Sequence, residues 1–219
     1  MFSYPLAEDV LHDLGDKVVS ALVDATRATR VDLAEYRDTF PSWVADSSDR
    51  GLSNWIHDRL WAHLRRGLID IDSVELVDQG VTREVTVGLR YRARVKRHTV
   101  RDRIRSYATK SALAFWAQSE ALEGLEEVRL GFGYRWDPEE RVIGSTIVSL
   151  RDGLDKDAIW AVEVDAEAWV RKSPGLLSIR RCPRSTCTRP WPKTRRTKRR
   201  EWNRRCARNT SPRPRPDAG

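Results

Sequence analysis

The last 49 residues set the strongest limit on the fold of this chain, because they lack the pattern that a core requires. Residues 171–219 hold seven of the ten prolines, all three cysteines, and 17 Lys or Arg against two acids, a net charge of +15. Segments so polar and rich in proline bury too little apolar surface to offset the entropy of ordering. We therefore expect a single folded domain over residues 1–170 and a disordered basic tail over residues 171–219.

The formal net charge of +8 describes neither part of the chain. Residues 1–170 contain 23 Lys or Arg and 30 Asp or Glu, a net charge of −7. A basic chain suggests a nucleic-acid partner; here that suggestion depends largely on the tail, whose densest basic residues are Arg195, Arg196, Lys198, Arg199 and Arg200. Two other interpretations of the tail stay open. The tail is attracted to acidic residues of the same chain, or residues 171–219 are the product of a GC-rich gene translated in a shifted reading frame.

Apolar residues recur at about every fourth position in the first 70 residues, as in amphipathic helices. Residues 6–40 read as one long helix or two shorter ones, with weak points at Gly15 and at residues 26–29. The clearest helix spans residues 52–68, where leucines and one isoleucine step by four after a polar stretch suited to capping. Gly67 is a plausible end for this helix.

The apolar period changes to two after residue 73, which indicates strands. Residues 74–96 read as a hairpin around Gly80, residues 128–150 as two strands, and residues 158–165 as a last strand. Residues 99–117 fit a helix that crosses the sheet. This order predicts an α+β fold, with N-terminal helices followed by a mostly antiparallel sheet of about five strands.

The most pointed feature of the domain is a row of basic residues at every second position, which we call the basic strip: Arg90, Arg92, Arg94 and Lys96. On a single strand the four side chains would share one face. Such a face could lie along a phosphate backbone, because guanidinium groups match phosphate oxygens in pairs. The alternative, which we favour, is a solvated face neutralised by acids of neighbouring strands, Glu84 among them.

Other polar side chains form no catalytic or metal-binding motif that we recognise. His57 and His63 are six residues apart on a predicted helix and point to nearly opposite sides, whereas metal-binding pairs prefer a spacing of four. Carboxylates at residues 70–78 and 163–165 could serve a metal-dependent hydrolase, but solvated acids explain them more simply. Aromatic residues at 132, 134, 136 and 160 are typical of a buried sheet face rather than a base-stacking platform. The sequence predicts no catalytic residue, cofactor or metal site.

The N-terminal residues and the hydropathy of the chain suggest a compartment. No charged segment followed by an apolar stretch opens the chain, and no apolar run approaches the roughly 20 residues that span a bilayer. Residues 1–170 contain no cysteine, so a disulfide framework gives no reason to expect secretion. We expect a soluble, cytoplasmic protein without a membrane partner.

Three segments resemble uncharacterised proteins of actinobacteria and their mobile elements: GYRWDP at residues 133–138, LRYRARVKRH at 89–98 and IWAVE at 159–163. The resemblance extends over residues 1–165 and implies no activity. It implies genes encoded beside helix-turn-helix regulators that carry a zinc-peptidase-like domain, and hence a partner in a regulatory or defence module.

Three functions follow as hypotheses. The first is a non-enzymatic accessory protein that binds a protein partner through a face of the sheet. The second is a nucleic-acid-binding protein that uses the tail and the basic strip. The third is a metal-dependent hydrolase.

Overall fold

The computed structural model describes residues 4–79, 82–104, 106–118, 127–153 and 157–165. The elements in chain order are α1 (Ala7–Leu14), α2 (Asp16–Thr39), α3 (Pro41–Asp46), α4 (Asp49–Leu68), β1 (Val74–Gln79), β2 (Thr82–Val87), β3 (Tyr91–His98), α5 (Lys110–Trp116), β4 (Val128–Asp137), β5 (Val142–Leu150) and β6 (Trp160–Val164). The order confirms the predicted α+β class. Among the described helices, none is long and apolar enough to cross a membrane. The predicted disordered tail, residues 171–219, lies outside the described residues.

The first predicted helix breaks at one of its two weak points. Gly15 has a φ of +80° and separates α1 from α2. Residues 26–29 do not interrupt α2, because the buried hydroxyls of Thr26 and Thr29 donate to the carbonyls of Leu22 (2.9 Å) and Ala25 (2.7 Å). These bonds satisfy polar side chains that would otherwise compete with the helix.

α4 begins at Asp49, within the polar stretch expected to cap it, and ends at Leu68, one residue beyond the expected stop at Gly67. The hydroxyl of Ser48 accepts a hydrogen bond from the Gly51 amide at 3.0 Å, which caps the first turn. Gly67, the predicted end, lies inside the helix. A Cβ at Gly67 would lie 3.1 Å from the Cβ of Ala21, so its missing side chain permits close approach to α2.

The six described strands form one sheet in chain order. All neighbours are antiparallel except β3 and β4, which are parallel, with Tyr91 opposite Val128. About five strands were predicted because residues 84–96 read as one. Gly88, with a φ of +59°, turns the chain there and separates β2 from β3.

A parallel pair of strands needs a long connection, and residues 99–127 supply it. The helix predicted over residues 99–117 is reduced to α5. After β3 the chain folds back, and Ile104 forms an isolated bridge with His98. Asp102, in a left-handed turn with a φ of +57°, accepts two hydrogen bonds from Arg135, at 3.0 and 3.1 Å. Residues 99–104 therefore form a turn held against the sheet instead of the predicted helix.

The main core lies between one face of the sheet and helices α1, α2 and α4. It includes fully buried side chains such as Leu22 of α2 and Leu130 of β4. The aromatic residues that were expected in the core belong to it, since Phe132, Tyr134 and Trp136 are at most 6% exposed. This face of the sheet is closed by helices.

A smaller cluster lies on the opposite face of the sheet and contains Ile104, Ala112, Phe115 and Trp116. A Cβ at Gly131 of β4 would lie 2.9 Å from the Cδ1 of Ile104, so the glycine lets the segment before α5 rest directly on the sheet. We call residues 99–104 and 106–118 the cover.

Candidate functional site

The basic strip is divided in the structure. Arg92, Arg94 and Lys96 alternate along β3, whereas Arg90 lies in the turn that precedes it. There the Arg90 guanidinium is 3.2 Å from the Asp13 carboxylate of α1. The four cations do not form one row, because the turn at Gly88 separates the first from the rest.

Glu84 of β2 lies opposite Arg94 and neutralises the centre of the strip. Glu84 is 3% exposed, and its carboxylate accepts hydrogen bonds from Arg94 Nε at 2.8 Å and from Arg92. Burial alone would raise the pKa of Glu84, but the hydrogen bonds from Arg94 and Arg92 outweigh it and lower the pKa. Glu84 is therefore ionised at neutral pH and balances two arginines from inside the fold.

A second acid extends this network to the cover. Glu127 lies 3.4 Å from Arg92 and accepts a hydrogen bond from Arg129 Nε at 2.6 Å. Arg129 also donates to the carbonyls of Phe115 (3.2 Å) and Ala117 (2.9 Å) at the C-terminal end of α5. These carbonyls have no partner within the helix. The arginine therefore ties α5 to the sheet.

Arg94 also contacts the cover. Its guanidinium carbon is 4.0 Å from the ring centroid of Phe115, and its Nη2 is 3.4 Å from Ser111 Oγ. A cation over an aromatic ring stabilises the contact electrostatically. Arg92 and Arg94 thus make ion pairs and packing contacts within the chain.

Lys96 is the cation of the strip that forms no ion pair with a described residue. Burial lowers the pKa of Lys96, and the neighbouring charges of Arg94 and Arg151 lower it further. The remaining predicted anion-binding residues lie outside the described residues: Arg195, Arg196, Lys198, Arg199 and Arg200.

His98 ends β3 beneath the cover and is fully buried. Its Nε2 lies 2.9 Å from Ser149 Oγ, and its Nδ1 forms no hydrogen bond with the described residues. Burial lowers the pKa of His98 to about 3, although the carbonyls of Tyr134 and Lys96 oppose the shift. The ring is therefore neutral at physiological pH, and its role is to pack between the sheet and the cover.

His63 lies beside a groove of about 660 Å³ between α2 and α4. Its Nε2 is 2.7 Å from Asp32 Oδ2, and its Nδ1 is 2.6 Å from Arg66 Nη2. Because arginine can only donate, Nδ1 accepts and Nε2 carries the proton that is donated to Asp32. Burial would raise the pKa of Asp32, but hydrogen bonds from Arg59 and His63 lower it. With both nitrogens engaged, His63 has none left for a substrate.

The carboxylates that suggested a hydrolase are also engaged in part. Asp78 accepts from Trp61 Nε1 at 2.8 Å, and Glu163 accepts from Arg135 at 3.1 Å. Within the described ranges, no group of three or more His, Cys, Asp or Glu side chains could hold a metal ion. Metal-dependent hydrolysis stays a prediction without a site among these residues.

Four aromatic side chains form a row of ring contacts, two stacked and one tilted, which we call the aromatic ladder, where α2, α3 and α4 meet. Trp55 stacks on Tyr36 with ring centroids 4.8 Å apart, Tyr36 contacts Phe40 at 6.0 Å, and Phe40 stacks on Trp43 at 4.5 Å. Phe40 is 40% exposed and Trp43 is 60% exposed. The ladder therefore begins half-buried between two helices and ends in solvent.

Local structure places the ladder. Tyr36 and Phe40 are four residues apart at the end of α2, so they lie on one side of the helix. Pro41 begins α3 at once, with its fixed φ suited to a first helical position. This short turn between helices brings Trp43 back against Phe40.

The ladder was not predicted from the sequence. Its only local signal is the spacing of Tyr36, Phe40 and Trp43 around a proline, but an aromatic residue at helical spacing is more often part of the core. Trp55 belongs to a different helix, and only the antiparallel packing of α2 and α4 joins it to Tyr36.

The helices and the turn that meet at this corner carry six exposed acidic residues, which we call the acidic rim: Glu35, Asp38, Asp46, Asp49, Glu139 and Glu140. Four belong to α2, α3 or the start of α4, and two to the β4–β5 turn. That turn contacts the corner through Arg141, which donates to the Ser47 carbonyl at 3.2 Å. All six are exposed, and none forms an ion pair with a described residue.

Comparison of the chain with protein-family models, with curated proteins and with solved structures gives no match.

Proposed function

We propose that this protein is a non-enzymatic accessory component that binds a partner protein through the aromatic ladder. The observation that carries the proposal is the exposure of two stacked rings, Phe40 and Trp43, at the end of the ladder. Aromatic side chains provide a large contact area at a low cost in conformational entropy, and they are enriched among the residues that dominate binding energy. Phe40 contacts Tyr36 of α2 on one side and stacks on Trp43 of α3 on the other.

The ladder is a better contact surface than either face of the sheet. One face is closed by α1, α2 and α4, and part of the other is occupied by the cover and by the ion pairs of Glu84. A partner that docked at those places would have to displace existing contacts. The rings of Phe40 and Trp43 are already exposed to solvent.

The ladder by itself is smaller than a stable interface, which buries about 1,600 Å² in total. It would therefore form the centre of the contact, with the exposed residues of α3 and of the β4–β5 turn around it. Truncation of a central aromatic residue typically weakens binding by about 2 kcal/mol or more, roughly 30-fold. We expect an effect of this size for Trp43→Ala.

Quantitative co-purification from the native host tests the proposal. The full chain is compared with the Phe40→Ala/Trp43→Ala double variant and with Tyr107→Ala, a matched control because Tyr107 is 91% exposed elsewhere on the surface. A partner retained by the wild type and by the control, but absent from the double variant, supports the proposal. Equal retention by all three chains, or a lone monomer at every salt concentration, contradicts it.

The sequence resemblance supports a partner in a regulatory or defence module. Co-expression with the products of neighbouring genes tests this part of the proposal. A stable complex that depends on the ladder supports it, and failure of every neighbour to associate counts against it.

Nucleic-acid binding is the alternative function, and the net charge of +15 on residues 171–219 is the observation that favours it. Arg92 and Arg94 are already paired with Glu84, so this function would depend mainly on the tail. If about six phosphates were neutralised, affinity would fall by roughly 10³ between 50 and 200 mM salt. A gel shift with the full chain and with a chain ending at Val170 tests it, and no shift by either at low salt contradicts it.

A further inference from the structure

We infer that the aromatic ladder receives a basic segment, an exposed stretch of the partner protein that carries Arg or Lys side chains. This inference rests on the proposed function, since it specifies the chemistry of the partner at the same surface. Two independent features of the corner support it: the uncompensated charge of the acidic rim and the exposed faces of the rings.

The charge of the corner is negative. Residues 35–50 and 138–141 together hold the six carboxylates of the acidic rim and three guanidinium groups, those of Arg37, Arg50 and Arg141. Arg37 and Arg141 are half-buried and donate to the carbonyls of Arg141 and Ser47. The rim carboxylates have no ion-pair partner among the described residues, so a cationic segment would supply the missing counter-charge.

The rings can accept cations directly. A guanidinium or ammonium group over an aromatic face is attracted by the electron density of the ring. The chain already uses this contact: the guanidinium carbon of Arg94 is 4.0 Å from the centroid of Phe115, and that of Arg97 is 5.8 Å from the centroid of Trp136. Trp43, the outermost ring of the ladder, stacks on Phe40 and is 60% exposed, and no described cation lies over it.

The same features argue against other occupants. A nucleic acid or an anionic membrane would bring phosphates against the acidic rim, which would repel them. A second copy of this chain, related by a twofold axis, would place one acidic rim against another. A basic polypeptide meets neither difficulty.

The test uses a defined probe, a fluorescein-labelled peptide in which Arg alternates with Ser. Its matched control replaces each Arg by citrulline, which keeps the shape of the side chain and removes the charge. Fluorescence anisotropy with the full chain at 50 and 200 mM NaCl gives the dissociation constants. The titrations are repeated with a chain ending at Val170, which keeps the whole described core and lacks the 17 Lys and Arg of residues 171–219.

We expect the Arg peptide to bind at least ten-fold more tightly than the citrulline peptide, with the difference shrinking at the higher salt concentration. Phe40→Leu/Trp43→Leu removes both ring faces but keeps apolar surface, and should weaken binding by about two- to five-fold for each peptide cation that no longer lies over a ring. Asp46→Asn/Glu140→Gln should weaken binding and reduce its salt dependence. Tyr107→Leu and Glu75→Gln, exposed residues away from the corner, should bind like the wild type.

Equal binding of the Arg and citrulline peptides overturns the inference, and so does equal weakening by the ladder variants and by the controls. Melting temperatures close to that of the wild type establish that the exposed substitutions leave the fold intact. If co-purification shows a ladder-dependent partner while the Arg peptide fails to bind, the proposed function stands and the basic-segment inference fails. If neither the partner nor the Arg peptide depends on the ladder, both fail.

Discussion

Removal of the Glu84 charge tests whether Glu84 is the buried counter-charge of Arg92 and Arg94 in the basic strip. The Glu84 side chain is 4% exposed, and the side chains of its two partners, Arg94 and Arg92, are 13% and 37% exposed. Breaking a buried ion pair by removing one partner costs about 3–5 kcal/mol. Arg92 remains partly hydrated and the amide of Glu84→Gln can still accept one hydrogen bond, so we expect a loss of about 2–3 kcal/mol.

Urea unfolding at pH 7, followed by far-ultraviolet circular dichroism, measures this loss. For a domain of this size it corresponds to a decrease in Tm of about 5–10 °C. Glu75→Gln is the matched control, because Glu75 is exposed on β1 and should change the free energy of unfolding by less than about 0.5 kcal/mol. A Glu84 variant no less stable than the control would refute the interpretation of Glu84 as a buried counter-charge.

The pH dependence of this difference is a second readout. The pKa of Glu84 is below its ordinary value of 4.5 in the folded chain, so the unfolded chain takes up a proton first as pH falls. The stabilisation is therefore complete above about pH 5 and is lost as pH falls through the lower folded pKa. The stability curves of the wild type and of Glu84→Gln should converge in acid, and a constant difference from pH 7 to pH 3 would contradict this.

Three further substitutions test the cover, the buried histidine and a helix cap. Gly131→Ala would place a Cβ 2.7 Å from Ser149 Oγ and should cost about 1–3 kcal/mol in urea unfolding, because the cover must shift. His98 stays neutral to about pH 3 in the folded chain but protonates near pH 6.5 in the unfolded chain. Lowering the pH from 6.5 to 5.5 should therefore reduce the free energy of unfolding by about 1 kcal/mol through this residue, and His98→Gln should lack this part of the pH dependence. Ser48→Ala should cost about 1 kcal/mol, because the Gly51 amide loses its cap.

Matched controls separate these effects from general destabilisation. Gly51→Ala adds a Cβ at an exposed position in α4, 3.3 Å from the Ser48 hydroxyl, and should cost less than Gly131→Ala because that side chain can shift into solvent; an equal loss would contradict the role given to the cover. His12→Gln, at an exposed position, should keep the pH slope that His98→Gln loses. Ser42→Ala removes an exposed hydroxyl in α3 and should leave stability unchanged, so an equal effect of Ser48→Ala would argue against capping.

The N-terminal helices and the fold class were predictable from the spacing of apolar residues. A helix that packs along one side buries every third or fourth residue, and this spacing is visible in the local sequence. The errors arose where a distant partner decides local structure. Residues 99–104 contain helix-compatible spacing, yet they form a turn that brings Ile104 back to pair with His98. Residues 26–29 looked like a break, yet hydroxyl groups that bond back to the helix let α2 continue.

The ladder and the acidic rim depend even more on tertiary structure. Tyr36 and Trp55 are 19 positions apart and meet only because α2 and α4 run in opposite directions. The β4–β5 turn joins the corner through a hydrogen bond from Arg141 to Ser47, almost 100 residues away in the chain. No local pattern carries this information, so the candidate site could not be read from the sequence.

Arginines at alternate positions of a strand are compatible with a phosphate-binding face and with a face neutralised by neighbouring acids. The register of the neighbouring strand decides between the two. On β3 the register places a buried acid, Glu84, opposite Arg94, and the most conspicuous charges of the domain are neutralised within it. At the corner of α2, α3 and α4 the charges are less conspicuous in sequence, but the carboxylates form no ion pair with a described residue and belong to the elements that meet beside the exposed rings. A partner can form a new ion pair with an uncompensated carboxylate without breaking an existing ion pair, whereas it would have to displace Glu84 to reach Arg92 or Arg94. An uncompensated charge beside an apolar surface is therefore better evidence for a partner than a dense charge that the fold has already neutralised.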